Sequence, residues 1–187
     1  MTDQAHPDGP LHESQDLTLA LRVSDLAPRG GARFHLSPSA EARAELADTL
    51  GVLKVRKLDF RGHLVAEGRH DWRLEGALGA TVIQACVITA EPVTTRIDET
   101  VTRRFLREMP VPSELEAEIP EDDTLEPLGP SIDPGAVMVE ALALALPDYP
   151  RLPGAELPAS PEMPEDERPN PFAALAALRK DPGETPQ

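Results

Sequence analysis

The chain has 187 residues, 21 prolines and an aromatic content of 3%, so it is long enough for one ordinary domain but not all of it is expected to pack into a core. Its net charge of −15 excludes a protein that coats nucleic acid by overall charge. The negative charge lies mostly in residues 111–187, whereas residues 51–110 carry 10 basic and 8 acidic residues, which permits a local basic surface. A single cysteine excludes an internal disulfide. The sequence shows neither a signal-like start nor an apolar run of about eighteen residues, so we expect a soluble cytoplasmic protein with no membrane partner.

The first part of the chain predicts an arm, a strand and a helix. Residues 1–13 are polar, contain two prolines and predict a flexible N-terminal arm. Apolar residues alternate from Leu17 to Val23, as in a half-buried strand. The segment Ser37 to Ser39 offers a cap and a proline for a short amphipathic helix, which Gly51 would end.

The centre of the chain predicts an antiparallel hairpin. Residues 52–61 favour a strand, and residues 64–66 form a further short segment. Residues 71–106 alternate apolar and polar positions on both sides of Ala90 to Pro92, where the proline suits a turn better than a central strand. We therefore expect two long paired strands, each with one apolar face.

The last third predicts helices separated by acidic segments. Residues 108–130 are acidic and proline-rich and predict a surface excursion. A cap at Asp133, followed by proline, starts a helix that runs to Leu146 with a single charge, so we expect it to be buried on the sheet. Residues 151–169 predict a linker, and residues 170–187 a short helix and tail.

These elements predict an α+β fold in which residues 14–150 form a single domain. We expect a twisted antiparallel sheet, either open or partly closed into a barrel. One long buried helix and short flanking helices would cover it.

Three segments of the sequence resemble a known family. They are Cys86 to Val93 at the hairpin turn, Ile132-Asp133 through Leu146-Pro147, and Arg168 to Leu175. In this order and spacing they resemble the YceD-like family, the large ribosomal RNA subunit accumulation proteins, over about Leu17 to Lys180. The resemblance implies a non-catalytic factor for large ribosomal subunit biogenesis in bacteria or organelles, needed for 23S rRNA accumulation or processing.

The hairpin signature of this family falls on Cys86, Glu91 and Pro92. Many members carry Cys-x-x-Cys here, whereas Thr89 stands where the second thiol would be. A metal site carried over from those members is therefore not expected in this chain.

Cys86 is also the residue on which an enzyme or a metal site would be built. Structural zinc takes four Cys or His ligands, and a set of Cys86, His63 and His70 lacks the fourth. A thiol nucleophile needs a positioned base and a lowered pKa, which the neighbouring residues do not supply. We expect a buried core thiol, no catalytic residue, no metal and no cofactor; a thiol- or metal-dependent enzyme remains the alternative.

A basic set in the middle of the chain predicts the RNA-contacting surface. Alternation places Arg96 and Arg104 opposite the apolar face of the second hairpin strand, where both can contact phosphate. The competing interpretation is a solvated face on which cations alternate with carboxylates. The candidate RNA-contacting residues are Lys54, Arg56, Arg61, Arg96, Arg104 and Arg107.

Two other features predict protein partners rather than a small-molecule substrate. The acidic segment complements basic ribosomal proteins or assembly factors. The C-terminal helix carries a short apolar stripe that packs either within the protein or into a partner. Its candidate partner-binding residues are Asn170, Pro171, Phe172, Leu175 and Leu178. The predicted partners are large-subunit rRNA or its precursor and ribosomal proteins or assembly factors, with an acidic protein-only adaptor as a further alternative.

Overall fold

A computed structural model describes residues 9–108 and 124–156, which form a mixed α+β architecture. In chain order its elements are β1 (Leu11–Ser14), β2 (Leu21–Arg22), α1 (Val23–Leu26), β3 (Gly31–Leu36), α2 (Ala40–Leu50), β4 (Lys54–Glu67), β5 (Asp71–Ala85), β6 (Pro92–Leu106), β7 (Leu125–Pro127), β8 (Ser131–Ile132) and α3 (Pro134–Ala145). The α+β prediction is thereby confirmed for this part of the chain.

The main sheet has six strands in the order β1-β3-β4-β5-β6-β7, and β2 pairs separately with β8. The central pairs from β3 to β6 are antiparallel, which agrees with the prediction of an antiparallel sheet. The two edge pairs, β1 with β3 and β6 with β7, are parallel, so the expectation of a purely antiparallel sheet is wrong. The sheet is open, with β1 and β7 at its edges, which rules out the partly closed barrel.

The predicted hairpin is confirmed and supplies the two longest strands. β5 pairs with β6 from Trp72 opposite Phe105 to Ala85 opposite Pro92. β5 also pairs with β4 along nearly its whole length. β4 is one continuous strand rather than the two predicted segments, and Gly62 lies inside it rather than in a break between them. Three long strands therefore form a continuous platform.

The core lies on one face of this platform. The rings of Phe34 and Phe60 pack with centroids 5.1 Å apart. Phe60 lies directly over Gly76, where an added Cβ would come within 2.6 Å of the ring, so this strand position requires glycine. Helix α3 covers the same face with Met138 and Leu142, both 0% exposed.

Helix α3 is buried on one side only, so the prediction of one long buried helix is not confirmed. Its opposite side exposes Ala136, Ala143 and Leu144, the last at 75%. The helix is held to the sheet edge by Arg103, whose 13% exposed side chain lies 3.2 Å from Glu126 of β7 and 3.0 Å from Glu140 of α3. One arginine thus joins three elements.

The start of α3 is tied to the beginning of the chain by its capping residue. The Oδ1 atom of Asp133 accepts hydrogen bonds from the backbone N–H of Gly135, at 2.8 Å, and of Leu19, at 2.7 Å. This confirms the predicted cap and ties residue Leu19, which lies outside any strand, to the start of α3. The predicted strand Leu17–Val23 is wrong in extent, because only Leu21–Arg22 pairs and Val23 begins α1.

Several boundaries differ from the sequence prediction. The arm assigned to residues 1–13 ends in β1, because Leu11–Ser14 pairs with β3. Strand β3 was not predicted. Helix α2 is capped by Ser39, whose hydroxyl accepts from the N–H of Ala42 at 3.2 Å, and Gly51 ends it with φ +66°. The acidic excursion ends in β7; the rest of it, residues 109–123, and the linker and C-terminal helix from residue 157 lie outside the described residues.

Candidate nucleic-acid interface

The face of the sheet opposite the core, here called the outer face, is covered by charged side chains of both signs. Alternation along β3 to β6 brings them there because the intervening residues fill the core. The cations are Arg33, Lys54, Lys57, Arg61, Arg73, Arg96 and Arg104, and the carboxylates are Glu13, Asp59, Glu67, Asp71, Glu75 and Asp98. Seven cations stand against six carboxylates, so the face as a whole has almost no positive excess.

Most of these charges are paired, either within one strand or across strands. The pairs include His35 with Asp59 at 2.6 Å, Arg61 with Asp59 at 3.4 Å, His63 with Glu75 at 3.3 Å, and Arg104 with Glu67 at 3.0 Å. Much of the outer face is therefore the alternating, solvated surface of the competing interpretation. Exposed pairs of this kind contribute little to stability.

Arg96 and Arg104 do lie on the same face, but they do not form one site. They are eight residues apart on β6, which corresponds to about 27 Å along a strand. Arg96 is paired with Asp98, with Nε 2.8 Å from Oδ2. This hydrogen-bonded pair raises the pKa of Arg96 and lowers the pKa of Asp98.

A β-bulge changes the charge distribution at the start of β4. Val55 pairs with Val82 and Lys57 pairs with Thr81, which leaves Arg56 as the extra residue. Both Val55 and Leu58 are buried, so the bulge restores the core alternation after one added residue. Its consequence is that two consecutive cations, Arg56 and Lys57, are both exposed to solvent.

These two residues line a groove of about 470 Å³, here called the bulge groove. Its cations are Arg43, Arg56, Lys57, Arg61 and Arg96, and its carboxylates are Asp59 and Asp98. Lys54 lies in an adjoining groove that shares Arg43 and Arg56. Cations from α2, β4 and β6 thus exceed carboxylates at this end of the sheet.

The remaining predicted residues lie at the opposite end. Arg107 lines a groove of about 800 Å³ together with Arg22, Arg69 and His70. The backbone N–H of Arg107 donates to Asp71, at 3.0 Å. The structure therefore brings Lys54, Arg56, Arg61 and Arg96 together and separates Arg104 and Arg107 from them.

Arg43 was missed by the sequence prediction. It lies on the predicted helix α2, and nothing in a single sequence indicates that this helix packs beside the start of β4. The bulge itself had a signal, because the apolar residues Val55 and Leu58 are three positions apart where strict alternation requires two or four.

The family signature residues close the β5–β6 hairpin. The N–H of Cys86 donates to the carbonyl of Glu91 at 2.7 Å, and the N–H of Ala90 donates to the carbonyl of Cys86 at 2.9 Å. Pro92 is the first residue of β6. The turn is thus built on the segment that carries the predicted signature.

The Cys86 thiol is 3% exposed, and its pKa is lowered to about 7. The main cause is a hydrogen bond from the Thr89 side chain, followed by backbone hydrogen bonds from Leu152 and Thr89, which together outweigh the opposing effect of burial. The expectation that neighbouring residues do not lower this pKa is therefore wrong. The signal was Thr89, three residues along the turn, although Leu152 could not be placed from sequence.

The residues that the alternative of a metal-dependent enzyme would need are not brought together. His70 lies in the β4–β5 turn and Cys86 at the other end of β5, about 50 Å away along an extended strand. Within residues 9–108 and 124–156, no group of three or more His, Cys, Asp and Glu side chains is placed to hold a metal ion.

The fold and surface define an α+β protein that displays charged side chains on an open sheet. The family model described as the large ribosomal RNA subunit accumulation protein YceD matches residues 74–179. The chain belongs to this family, which confirms the resemblance seen in the sequence. Comparison with curated proteins and with solved structures gives no match. None of the helices in the described part of the chain is long and apolar enough to cross a membrane.

Proposed function

We propose that this protein is a non-catalytic factor for biogenesis of the large ribosomal subunit, needed for 23S rRNA to accumulate or be processed. The family match carries this proposal, because it spans both the hairpin and helix α3, the elements on which the core is built. The family description concerns accumulation of large-subunit RNA. A cytoplasmic bacterial location is the setting that fits this role.

The proposed contact with rRNA or its precursor is made through Lys54, Arg56, Arg61, Arg96, Arg104 and Arg107. The excess of cations at the β4 bulge supports this for the first four, because phosphate contacts need a positive surface. Arg107 is supported by the neighbouring Arg22 and Arg69 in the groove at the other end. Arg104 has the weakest support because Glu67 already neutralises it.

Contacts with ribosomal proteins or assembly factors are proposed for the acidic excursion and the C-terminal stripe. The charge of −13 over residues 111–187 suits basic partners and repels RNA. The stripe residues Asn170, Pro171, Phe172, Leu175 and Leu178 lie outside the described residues. An adaptor that binds protein alone is the alternative, and charge reversal of Arg56 and Arg96 would leave such an adaptor unaffected.

A thiol-dependent activity is the second candidate, because the pKa of Cys86 is lowered to about 7. The thiol is nearly inaccessible, and its hydrogen-bond partners are a hydroxyl and backbone N–H groups rather than a base. A Cys86→Ser variant that restores rRNA levels to a depleted strain would exclude this activity.

The test of the main proposal is depletion of the protein followed by measurement of rRNA. We expect 23S rRNA to fall relative to 16S rRNA, with precursors of the large-subunit RNA accumulating. An unchanged ratio of the two RNAs after complete depletion would refute the proposal.

A further inference from the structure

The bulge groove combines uncompensated positive charge with a flat, open floor. Its two carboxylates are already paired, Asp98 with Arg96 and Asp59 with His35 and Arg61. Among the described residues, neither Arg56 nor Lys57 has an ion-pair partner. The charge available to a ligand therefore comes chiefly from these two residues of the bulge and from Arg43.

Arg43 is held in place from the other side of the groove. Its Nη1 donates to the carbonyl of Pro38, directly before the helix cap, and among residues 9–108 and 124–156 the guanidinium has no carboxylate partner. A cation fixed by a neutral carbonyl keeps its full charge for a ligand. The groove thus has cations on both walls, Arg43 on α2 and Arg56 with Lys57 on the bulge.

The floor of the groove is formed by a stretch of β5 with small residues. It contains Ala77 and Gly79 of β5, and a Cβ added at Gly79 would lie 2.8 Å from Nη2 of Arg96. The absence of a side chain therefore leaves room for the Arg96 guanidinium against the strand. A ligand at this point of the floor would meet the Arg96 guanidinium.

None of the described residues that line the groove is aromatic. Proteins that bind single-stranded RNA stack its bases on aromatic rings, whereas double-helical RNA is recognised through its phosphates, 2′-hydroxyls and shape. Cations on two walls of an open groove suit the phosphates of a backbone, and the groove offers an unstacked base no aromatic ring, only arginine side chains.

We propose that the bulge groove binds the sugar-phosphate backbone of a double-helical segment of RNA, with Arg43, Arg56 and Lys57 contacting phosphates. This inference rests on the proposed function, because it names the part of large-subunit rRNA that the protein recognises. Recognition here depends on RNA shape and charge rather than on base sequence.

The test measures binding of the purified full-length chain to a short RNA duplex and to one of its single strands, as a function of salt. The wild-type protein should prefer the duplex. The double variant Arg56→Ala/Lys57→Ala should bind the duplex at least about fivefold more weakly, and the slope of log K against log salt should fall in magnitude by about 2. The matched control Arg29→Ala/Arg33→Ala removes the same charge from exposed positions outside the groove and should leave duplex binding unchanged.

A second variant tests the groove without changing any charge. Gly79→Val should displace Arg96 and fill the floor, lowering duplex affinity while the thermal unfolding midpoint confirms that the sheet still folds. Stronger binding to the single strand, or equal losses in the groove and control variants, would overturn the inference.

The same variants in a depleted strain separate this inference from the proposed function. If depletion lowers 23S rRNA and the groove variants restore it fully, the groove proposal fails while the function stands. If depletion leaves 23S rRNA unchanged, the function fails whatever the groove binds.

Discussion

Replacing Asp133 by alanine should destabilise the protein more than removal of an ordinary helix cap. The Oδ1 atom of Asp133 accepts from Gly135, which caps α3, and also from Leu19, 114 residues away in the chain. Loss of a cap costs about 1 kcal/mol. Loss of a hydrogen bond to a charged group, with its partly buried donor left unpaired, costs about 1.5–3 kcal/mol. The free energy of unfolding should therefore fall by about 3 kcal/mol.

Ser39→Ala is the matched control. The Ser39 hydroxyl caps α2 by accepting from Ala42. Its loss should cost about 1 kcal/mol. Asp133→Asn keeps an acceptor oxygen and should be intermediate.

The assay is equilibrium urea unfolding of the three variants and the wild type, followed by circular dichroism. A shift of the midpoint at constant slope gives the change in stability. If Asp133→Ala lowers the free energy of unfolding by no more than Ser39→Ala, the bond to Leu19 contributes nothing and the reasoning is wrong.

Three further changes test the core, the sheet edge and the hairpin turn. Gly76→Ala should lower stability by about 1–3 kcal/mol in urea unfolding, because its Cβ would overlap the Phe60 ring. Arg103→Met should lower stability by about 1–2 kcal/mol, with part of the effect lost in high salt, because its carboxylate partners are partly exposed while the guanidinium is largely buried. Thr89→Val should raise the pKa of Cys86 from about 7 toward its ordinary value, as measured by ultraviolet titration of the thiolate.

Each of these has a result that contradicts it. An unchanged midpoint for Gly76→Ala would mean that the aromatic ring is not held at the sheet. A salt-independent loss for Arg103→Met would assign its role to packing alone. An unchanged thiol titration in Thr89→Val would show that the Thr89 hydroxyl does not cause the lowered pKa of Cys86.

The lowered thiol pKa also predicts a dependence of stability on pH. Because the folded state favours the thiolate, wild type should gain stability relative to Cys86→Ala as pH rises from about 7 to 9, and lose that gain as pH falls through 7. The measurement is the urea midpoint of both proteins across this range. A difference that is independent of pH would show that the thiol is not ionised in the folded protein.

The hairpin and the start of α3 were predictable because each is specified by residues that are close together in the sequence. Alternation over residues 71–106 predicted the hairpin, and Asp133 followed by proline predicted the start of α3, since both depend on neighbours in sequence. Strand β1 and the parallel pairing of β7 were not predictable, because short edge strands are specified by the sheet that receives them. The exposed side of α3 was not predictable either. Apolar residues occur on every side of this helix, so its sequence does not indicate which side is covered.

The candidate nucleic-acid interface was predicted only in part, because its residues come together through tertiary structure. Alternation placed Arg96 and Arg104 on the outer face, but the strand length between them and the carboxylates beside them come only from register. The bulge that exposes both Arg56 and Lys57, and the approach of Arg43 from α2, are tertiary features. The sequence therefore predicted that basic residues share a face, and the structure divides them between two ends.

Crosslinking of the full-length protein to RNA in cells, with sequencing of the RNA and mass spectrometry of the crosslinked peptides, tests the central claim most directly. The account predicts crosslinks to base-paired regions of large-subunit rRNA or its precursor, on peptides that contain Arg56 and Lys57. Crosslinks confined to protein partners, or RNA crosslinks whose peptides exclude the β4 bulge, would contradict it.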